Sequence, residues 1–135
     1  MEQKNYNSTD LVGVKVNLAM QAAQEFIAAE RANRAVGDGR FFTMMATAKH
    51  KVKTILKELK EDEKTAFYLR VGEISKNSIF APTQTGSLAE RVQRHKCPTA
   101  QDTQNMRAAN KILDIKSEIE SEMQENVQGN QPGDN

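Results

Sequence analysis

The sequence predicts an all-α protein, a small bundle of about five helices with a long, partly projecting C-terminal helix and a disordered tail. Three observations predict this fold class. Apolar residues recur at helical spacing along most of the chain, and glycine, proline and capping residues divide it into segments of helical length. The single strand-like run has no second run to pair with. We expect one domain over residues 1–127, with its core in residues 8–98.

The first predicted helix extends from about Ser8 to Val36. Gly37-Asp38-Gly39 should end it, because glycine adopts the left-handed conformation that terminates helices. A second set of apolar residues widens the main stripe, so we expect this helix to be buried on more than one side. The main stripe consists of Leu11, Val14, Leu18, Ala22, Phe26, Ala29 and Val36.

Two shorter helices are predicted to follow, from about Arg40 to Lys60 and from Lys64 to Ile74. The second of these carries an aromatic and branched run, Phe67 to Val71, which is also compatible with a strand. We favour a helix, because no partner strand is available. The core-facing residues of the Arg40–Lys60 helix are Phe41, Met45, Ala48, Val52, Ile55, Leu56 and Leu59.

An irregular segment separates these helices from a short fourth one. Residues 75–86 contain proline, glycine and small polar residues, which are typical of loops. Within them Ile79 and Phe80 should dock on the core. Ser87-Leu88-Ala89-Glu90 has the form of a capping box, in which serine and glutamate satisfy each other's free backbone amides, and it should open a helix that ends near His95.

The last predicted helix covers about residues 99–127. Thr99 and Asp102 resemble the preceding capping residues and mark its start. Its apolar seam is narrow and its exterior strongly polar, which suits an arm that binds partner helices. The tail, residues 128–135, is predicted to be disordered. The candidate helix-pairing seam consists of Ile112, Ile115, Ile119 and Met123.

Two helical stripes of opposite charge share one spacing. Four lysines and four later acids each follow steps of four, four and three residues. Such steps stack side chains on one face of a helix. The basic stripe is Lys49, Lys53, Lys57 and Lys60, and the acidic stripe is Asp114, Glu118, Glu122 and Glu125.

The basic stripe could bind an anionic partner. Like charges at this spacing cost roughly 0.2–0.5 kcal/mol per pair, so the lysines oppose their own helix. Nucleic-acid phosphate is one candidate, because lysine rows follow phosphates without reading sequence, and Arg91 and Arg94 could enlarge the surface. Against this, only two tyrosines and no tryptophan are available to stack on bases. A solvated face is the second interpretation of the stripe.

The third interpretation is that the acidic stripe is the partner of the basic one. If two apolar seams pair, the charges that flank them face each other. The rotational sense of the two stripes favours parallel helices, whereas the second and fifth helices of a simple up-down bundle are antiparallel. The pairing therefore requires either an unusual connection or a contact between two chains. Self-association is our leading hypothesis, with a second copy or another helical protein as partner.

No catalytic residues, cofactor site or metal site can be named, so we expect a non-enzymatic structural or interaction protein without an evident small-molecule substrate. Cys97 and His95 are close in sequence but lack metal-ligand spacing. The net charge of +1 favours no class of partner. Neither a signal peptide nor a membrane-spanning run is apparent, so we expect a soluble intracellular protein. Small polar helical chains without a motif are often accessory proteins of viruses or mobile elements, although no residue supports that origin directly.

Overall fold

The all-α prediction is confirmed by a computed structural model, which describes the backbone of residues 2–129 and the side chains of residues 13–124. Along this backbone there are five helices and no β-strand. The run around Phe67 is helical, as predicted. The helices are α1 (Glu2–Val36), α2 (Phe42–Glu58), α3 (Glu61–Ser75), α4 (Leu88–Lys96) and α5 (Ala100–Gly129).

Four of these helices form the bundle. The packing is most extensive between α1 and α2 and between α3 and α5, and α1 also contacts α3 and α5. Short connections make α1, α2 and α3 successively antiparallel. Ser75 of α3 bonds Asn110 of α5, and Tyr68 of α3 lies under Lys116 of α5, so these two helices run in opposite directions. As a result, α5 runs parallel to α2.

The core lies where α1 meets the other three long helices. On α1 it consists of three alanines, which let the neighbouring helices approach closely, together with Met20, Phe26 and Ile27. The other three helices supply the largest of the fully buried side chains. The largest fully buried side chains are Phe67, Leu56, Ile74, Ile112, Ile115, Val52 and Val71.

Local sequence signals set three helix ends as predicted, whereas α1 extends back to Glu2, six residues before its predicted start at Ser8. Ser87 N donates to Glu90 Oε1 at 2.7 Å and Glu90 N donates to Ser87 Oγ at 3.2 Å, which completes the capping box of α4. Thr99 and Asp102 form the same reciprocal bonds at 2.9 and 3.1 Å at the start of α5. Gly37 follows the last residue of α1 with a φ of 78°, the left-handed conformation that favours glycine.

Some apolar side chains predicted to face the core do not. Val14 and Leu18 of α1 are each about half exposed, at 49% and 48%, and Val36 is 45% exposed. The side of α1 that faces the bundle carries Ala19, Met20, Ala23, Phe26 and Ile27. Phe80, which we expected to dock on the core, is 68% exposed, whereas Ile79 is half-buried.

The C-terminal helix is long, as predicted, and most of its described length is part of the core. Met123 lines the same surface depression as Glu61, the first residue of α3, so the turns of α5 beyond Met123 extend past the end of α3. The helix is described as far as Gly129, two residues beyond its predicted end. The predicted tail from Gln128 therefore begins as helix, and its residues 130–135 lie outside the described part of the chain.

Candidate functional site

The basic and acidic stripes meet within one chain. Lys49 Nζ lies 3.2 Å from Glu118 Oε2. Lys53 Nζ lies between two carboxylates, 2.9 Å from Glu118 Oε1 and 3.1 Å from Glu122 Oε2. Lys57 Nζ is 3.4 Å from Glu122 Oε1. We call these five side chains the ion-pair ladder between α2 and α5.

The order of the pairs shows how the two helices run. Residue numbers on α2 and α5 rise together along the ladder, so the helices are parallel. This agrees with the sense predicted from the stripes, and here the contact is intrachain. The arrangement is possible because α4 has no buried residue and is not a member of the bundle. The segment between α3 and α5, which includes α4, is thus the unusual connection that parallel pairing within one chain requires.

The ladder changes the protonation equilibria of its members. The hydrogen bond from Lys53 holds the pKa of Glu118 below its ordinary value, and the same donor lowers the pKa of Glu122. The hydrogen bond to Glu118 raises the pKa of Lys53, although partial burial opposes this effect. The lowered carboxyl pKa values stabilise the fold above about pH 4.5 and this contribution is lost as the pH falls through them. The contribution of Lys53 is present below pH 10.5 and is lost as the pH rises through its raised pKa.

Lys53→Met should therefore destabilise the protein in a pH-dependent way. Lys53 is only 20% exposed and touches two carboxylates, so we expect a loss of about 1 kcal/mol in the free energy of unfolding at pH 7. The loss should be smaller at about pH 3 than at pH 7, because the contribution of the two carboxylates is lost as the pH falls through their lowered pKa values. Urea unfolding at the two pH values measures it. Lys15→Met, at an exposed position on α1, is the control, and an equal loss at both pH values would contradict the prediction.

The other members of the two stripes lie in different environments. Lys60 is exposed, and its backbone N donates to Glu63 Oε1 at 2.8 Å at the start of α3. Asp114 is exposed and belongs to no ion pair among the described side chains. The side chain of Glu125 lies outside the described residues. In the predicted seam, Met123 is 53% exposed, whereas three residues are buried in the chain's own core: Ile112, Ile115 and Ile119.

Arg91 and Arg94, the proposed extension of a basic surface, hold the loop before α4. Arg94 Nε donates to Gln84 Oε1 at 3.0 Å, and its Nη2 donates to the carbonyl of Thr85. Arg91 Nη1 donates to the carbonyl of Ile79 at 3.4 Å. With three of the four stripe lysines also in ion pairs, most of these cations have partners in the chain. Nucleic-acid binding through them stays a prediction.

Asn77 organises the same loop, and sequence analysis missed its role. It is 5% exposed and has a φ of 55°, a conformation that asparagine tolerates better than most residues. Its Nδ2 donates to the carbonyl of Arg94 at 2.8 Å, and its Oδ1 accepts from Gln84 Nε2 at 3.1 Å. Its carbonyl lies 2.7 Å from His95 Nδ1. A single asparagine in a polar loop gives no periodic signal, so only the fold reveals these contacts.

Arg94→Ala should loosen this loop without unfolding the bundle. The substitution removes two charge-assisted bonds, and α4 contributes no buried residue to the core. We expect amide hydrogen exchange in residues 77–86 to become about tenfold faster or more. Exchange in α3 should not change. Lys96→Ala, an exposed position on the same helix, is the control, and an unchanged rate in the loop of the Arg94 variant would count against the role.

A groove lies between α2 and α5 beyond the Lys49 end of the ladder. Its volume is about 300 Å³, and buried Phe26 of α1 contributes to its lining. The charged side chains come from the facing helices, so the groove has an apolar interior and a polar rim. Its lining residues are Phe26, Met45, Ala46, Lys49, Lys111, Asp114 and Glu118.

A buried carboxylate lies beside this groove. The Glu30 side chain is 3% exposed and bonds both Arg34 Nε, at 2.7 Å, and the ammonium group of Lys111. Burial raises the pKa of Glu30, but Lys111, followed by Arg34, outweighs that effect and leaves the pKa below its ordinary value. The three side chains link α1 to α5. No sequence pattern indicates this contact, because it joins single charged residues on separate helices.

An apolar face of α2 lies beside the groove, and two of its residues, Met45 and Ala46, line the groove. Phe42, Met45, Ala46 and Lys49 are spaced so that they share one side of the helix. Phe42 is 62% exposed, Ala46 is exposed, and Met45 packs partly against the core. This face begins at the first turn of α2 and leads to the first rung of the ladder. We call Phe42, Met45 and Ala46 the apolar face of α2.

Among the described residues, no three His, Cys, Asp or Glu side chains are grouped so that they could hold a metal ion. Within the same part of the chain, no helix has the length and apolar character needed to cross a membrane. Comparison with protein-family models, curated proteins and solved structures finds no match.

Proposed function

We propose that this chain is a non-enzymatic structural or interaction protein that assembles through helix–helix contacts, and that its partner is a second copy of itself. The observation that supports the proposal is the apolar face of α2 beside the groove. Phe42 and Ala46 are exposed to solvent, and Phe26 and Met45 contribute apolar surface next to them. Burial of such surface against a partner removes it from water and favours association.

The surroundings of this face resemble the anatomy of an interface. Interfaces commonly have an aromatic or apolar centre and a rim of charged and polar residues that stays accessible to water. Here Phe42 and Met45 form the centre, and Lys49, Asp114 and Glu118 belong to the rim. The rungs of the ladder already neutralise part of the rim, which reduces the cost of bringing another surface close.

Light scattering behind size exclusion, over a series of concentrations, tests self-association. We expect the mass to rise from 15.1 kDa toward twice that value as the concentration increases. Phe42→Ala should weaken association, whereas Leu69→Ala is the matched control, because Leu69 is similarly exposed, at 67% against 62%, but lies on α3. A mass of 15.1 kDa that persists to about 1 mM, where even an association of about −4 kcal/mol is detectable, would refute the proposal.

A further inference from the structure

Two opposite charges lie on one exposed side of α5. Arg107 and Asp114 are seven residues apart, which places them on one side of the helix, two turns from each other. Both are exposed, and neither belongs to an ion pair among the side chains that the structure describes. Asp114 also lines the groove.

A surface that carries both charges is complementary to the same surface on a second copy of the chain. If two copies of α5 run antiparallel and cross midway between these residues, Arg107 of each copy lies opposite Asp114 of the other. The crossing point is then at Asn110–Lys111. Lys111 adds no free positive charge there, because it is paired with Glu30 of its own chain.

The position of the crossing point on α5 also determines which residues of α2 lie at the same height. Partners in the ladder differ by 65 or 69 in residue number, and both helices have the same rise per residue. Residues 110–111 of α5 are therefore level with residues 41–46, at the start of α2. That range contains the apolar face of α2. The charge pair and the apolar face thus lie at the same height of the molecule.

We infer that two copies associate through a two-fold contact centred on this level, a conclusion that rests on the proposed self-association. A two-fold axis perpendicular to the helices places α5 over α5 and α2 over α2, each pair antiparallel. Phe42 of each copy then packs against Met45 and the groove of the other. Arg107 and Asp114 form two equivalent ion pairs at the edge of this apolar centre. Each surface therefore supplies both the aromatic side chain and the groove that receives it.

Charge reversal tests this contact. Arg107→Asp and Asp114→Arg each place like charges together at both symmetric positions, so each should weaken dimerisation about tenfold or more. The double variant restores opposite charges in swapped positions, and its dissociation constant should return to within about threefold of the original. Sedimentation velocity over a concentration series measures all three. Lys15→Glu, on the exposed side of α1, is the control and should leave the constant unchanged.

The outcomes separate this inference from the proposed function. If the unmodified chain dimerises but the single reversals have no effect, or the double variant fails to recover, self-association stands and this surface is wrong. If the unmodified chain stays monomeric, both are wrong. Thermal unfolding followed by circular dichroism checks that each variant is folded. Both positions are exposed, so the melting temperatures should be nearly unchanged.

Discussion

Phe67→Ala should lower the free energy of unfolding by about 3–5 kcal/mol, the largest effect we expect from a single substitution in this chain. Phe67 is fully buried on α3, and its ring lies edge-on to Tyr68 with 5.4 Å between ring centroids. Truncation removes this burial and leaves a cavity that the surrounding helices can fill only in part. Because small domains are stable by only about 5–15 kcal/mol, the variant should be close to unfolding at physiological temperature.

Urea unfolding at neutral pH measures this effect, and the chain contains a close control. Leu69 is two residues away on the same helix but is 67% exposed. Leu69→Ala should cost less than about 0.5 kcal/mol, because it removes little surface that folding buries. If both substitutions destabilise the protein equally, the placement of α3 in the bundle is wrong.

Lys111→Met should cost about 1–3 kcal/mol at neutral pH, the second largest effect. The Glu30 carboxylate is 3% exposed and would keep only Arg34 as partner, so a buried acceptor would lose a charged donor. The Lys111 side chain itself is about half exposed, and methionine fits that position without a buried polar group. The pKa of Glu30 should rise in the variant, so the loss should shrink as the pH falls and the carboxyl is protonated.

A double-mutant cycle isolates this interaction. In a Glu30→Gln background the buried charge is absent, so the added cost of Lys111→Met should be much smaller than in the original sequence. Urea unfolding of the four proteins at neutral pH gives the coupling free energy. The same cost in both backgrounds would show that Lys111 stabilises the fold by some other contact.

The existence of the helices and the starts of α4 and α5 were predictable because their signals are local. The capping residues Ser87 and Thr99 satisfy amides within their own first turn, so neighbouring residues are sufficient to identify them. The orientation of α1 was predicted less well. Val14 and Leu18 fit the helical spacing as well as the buried residues do, but a different side of the helix, which includes Phe26 and Ile27, packs on the bundle. That choice depends on the neighbouring helices, which the spacing of one helix cannot specify.

The ladder shows the same division between local and tertiary information. Spacing identified both stripes and the parallel sense of their pairing. Whether the partners belong to one chain depends on the path from α3 to α5. On that path Asn77 and Arg94 hold the loop before α4, and α4 itself stays outside the core. The contact between Glu30 and Lys111 joins residues that are 81 positions apart, so no periodic pattern could indicate it.

The distance along the chain between the two sides of the ladder has a consequence for synthesis. Lys53 is made 65 residues before Glu118, so during translation the basic face of α2 exists for several seconds without its acidic partners. Contacts between distant residues form late, because a long loop must close first. We therefore expect α1, α2 and α3 to associate first on the nascent chain. The last helix then neutralises the lysines when it docks. Until then, the nascent chain has a cationic surface that the folded protein lacks.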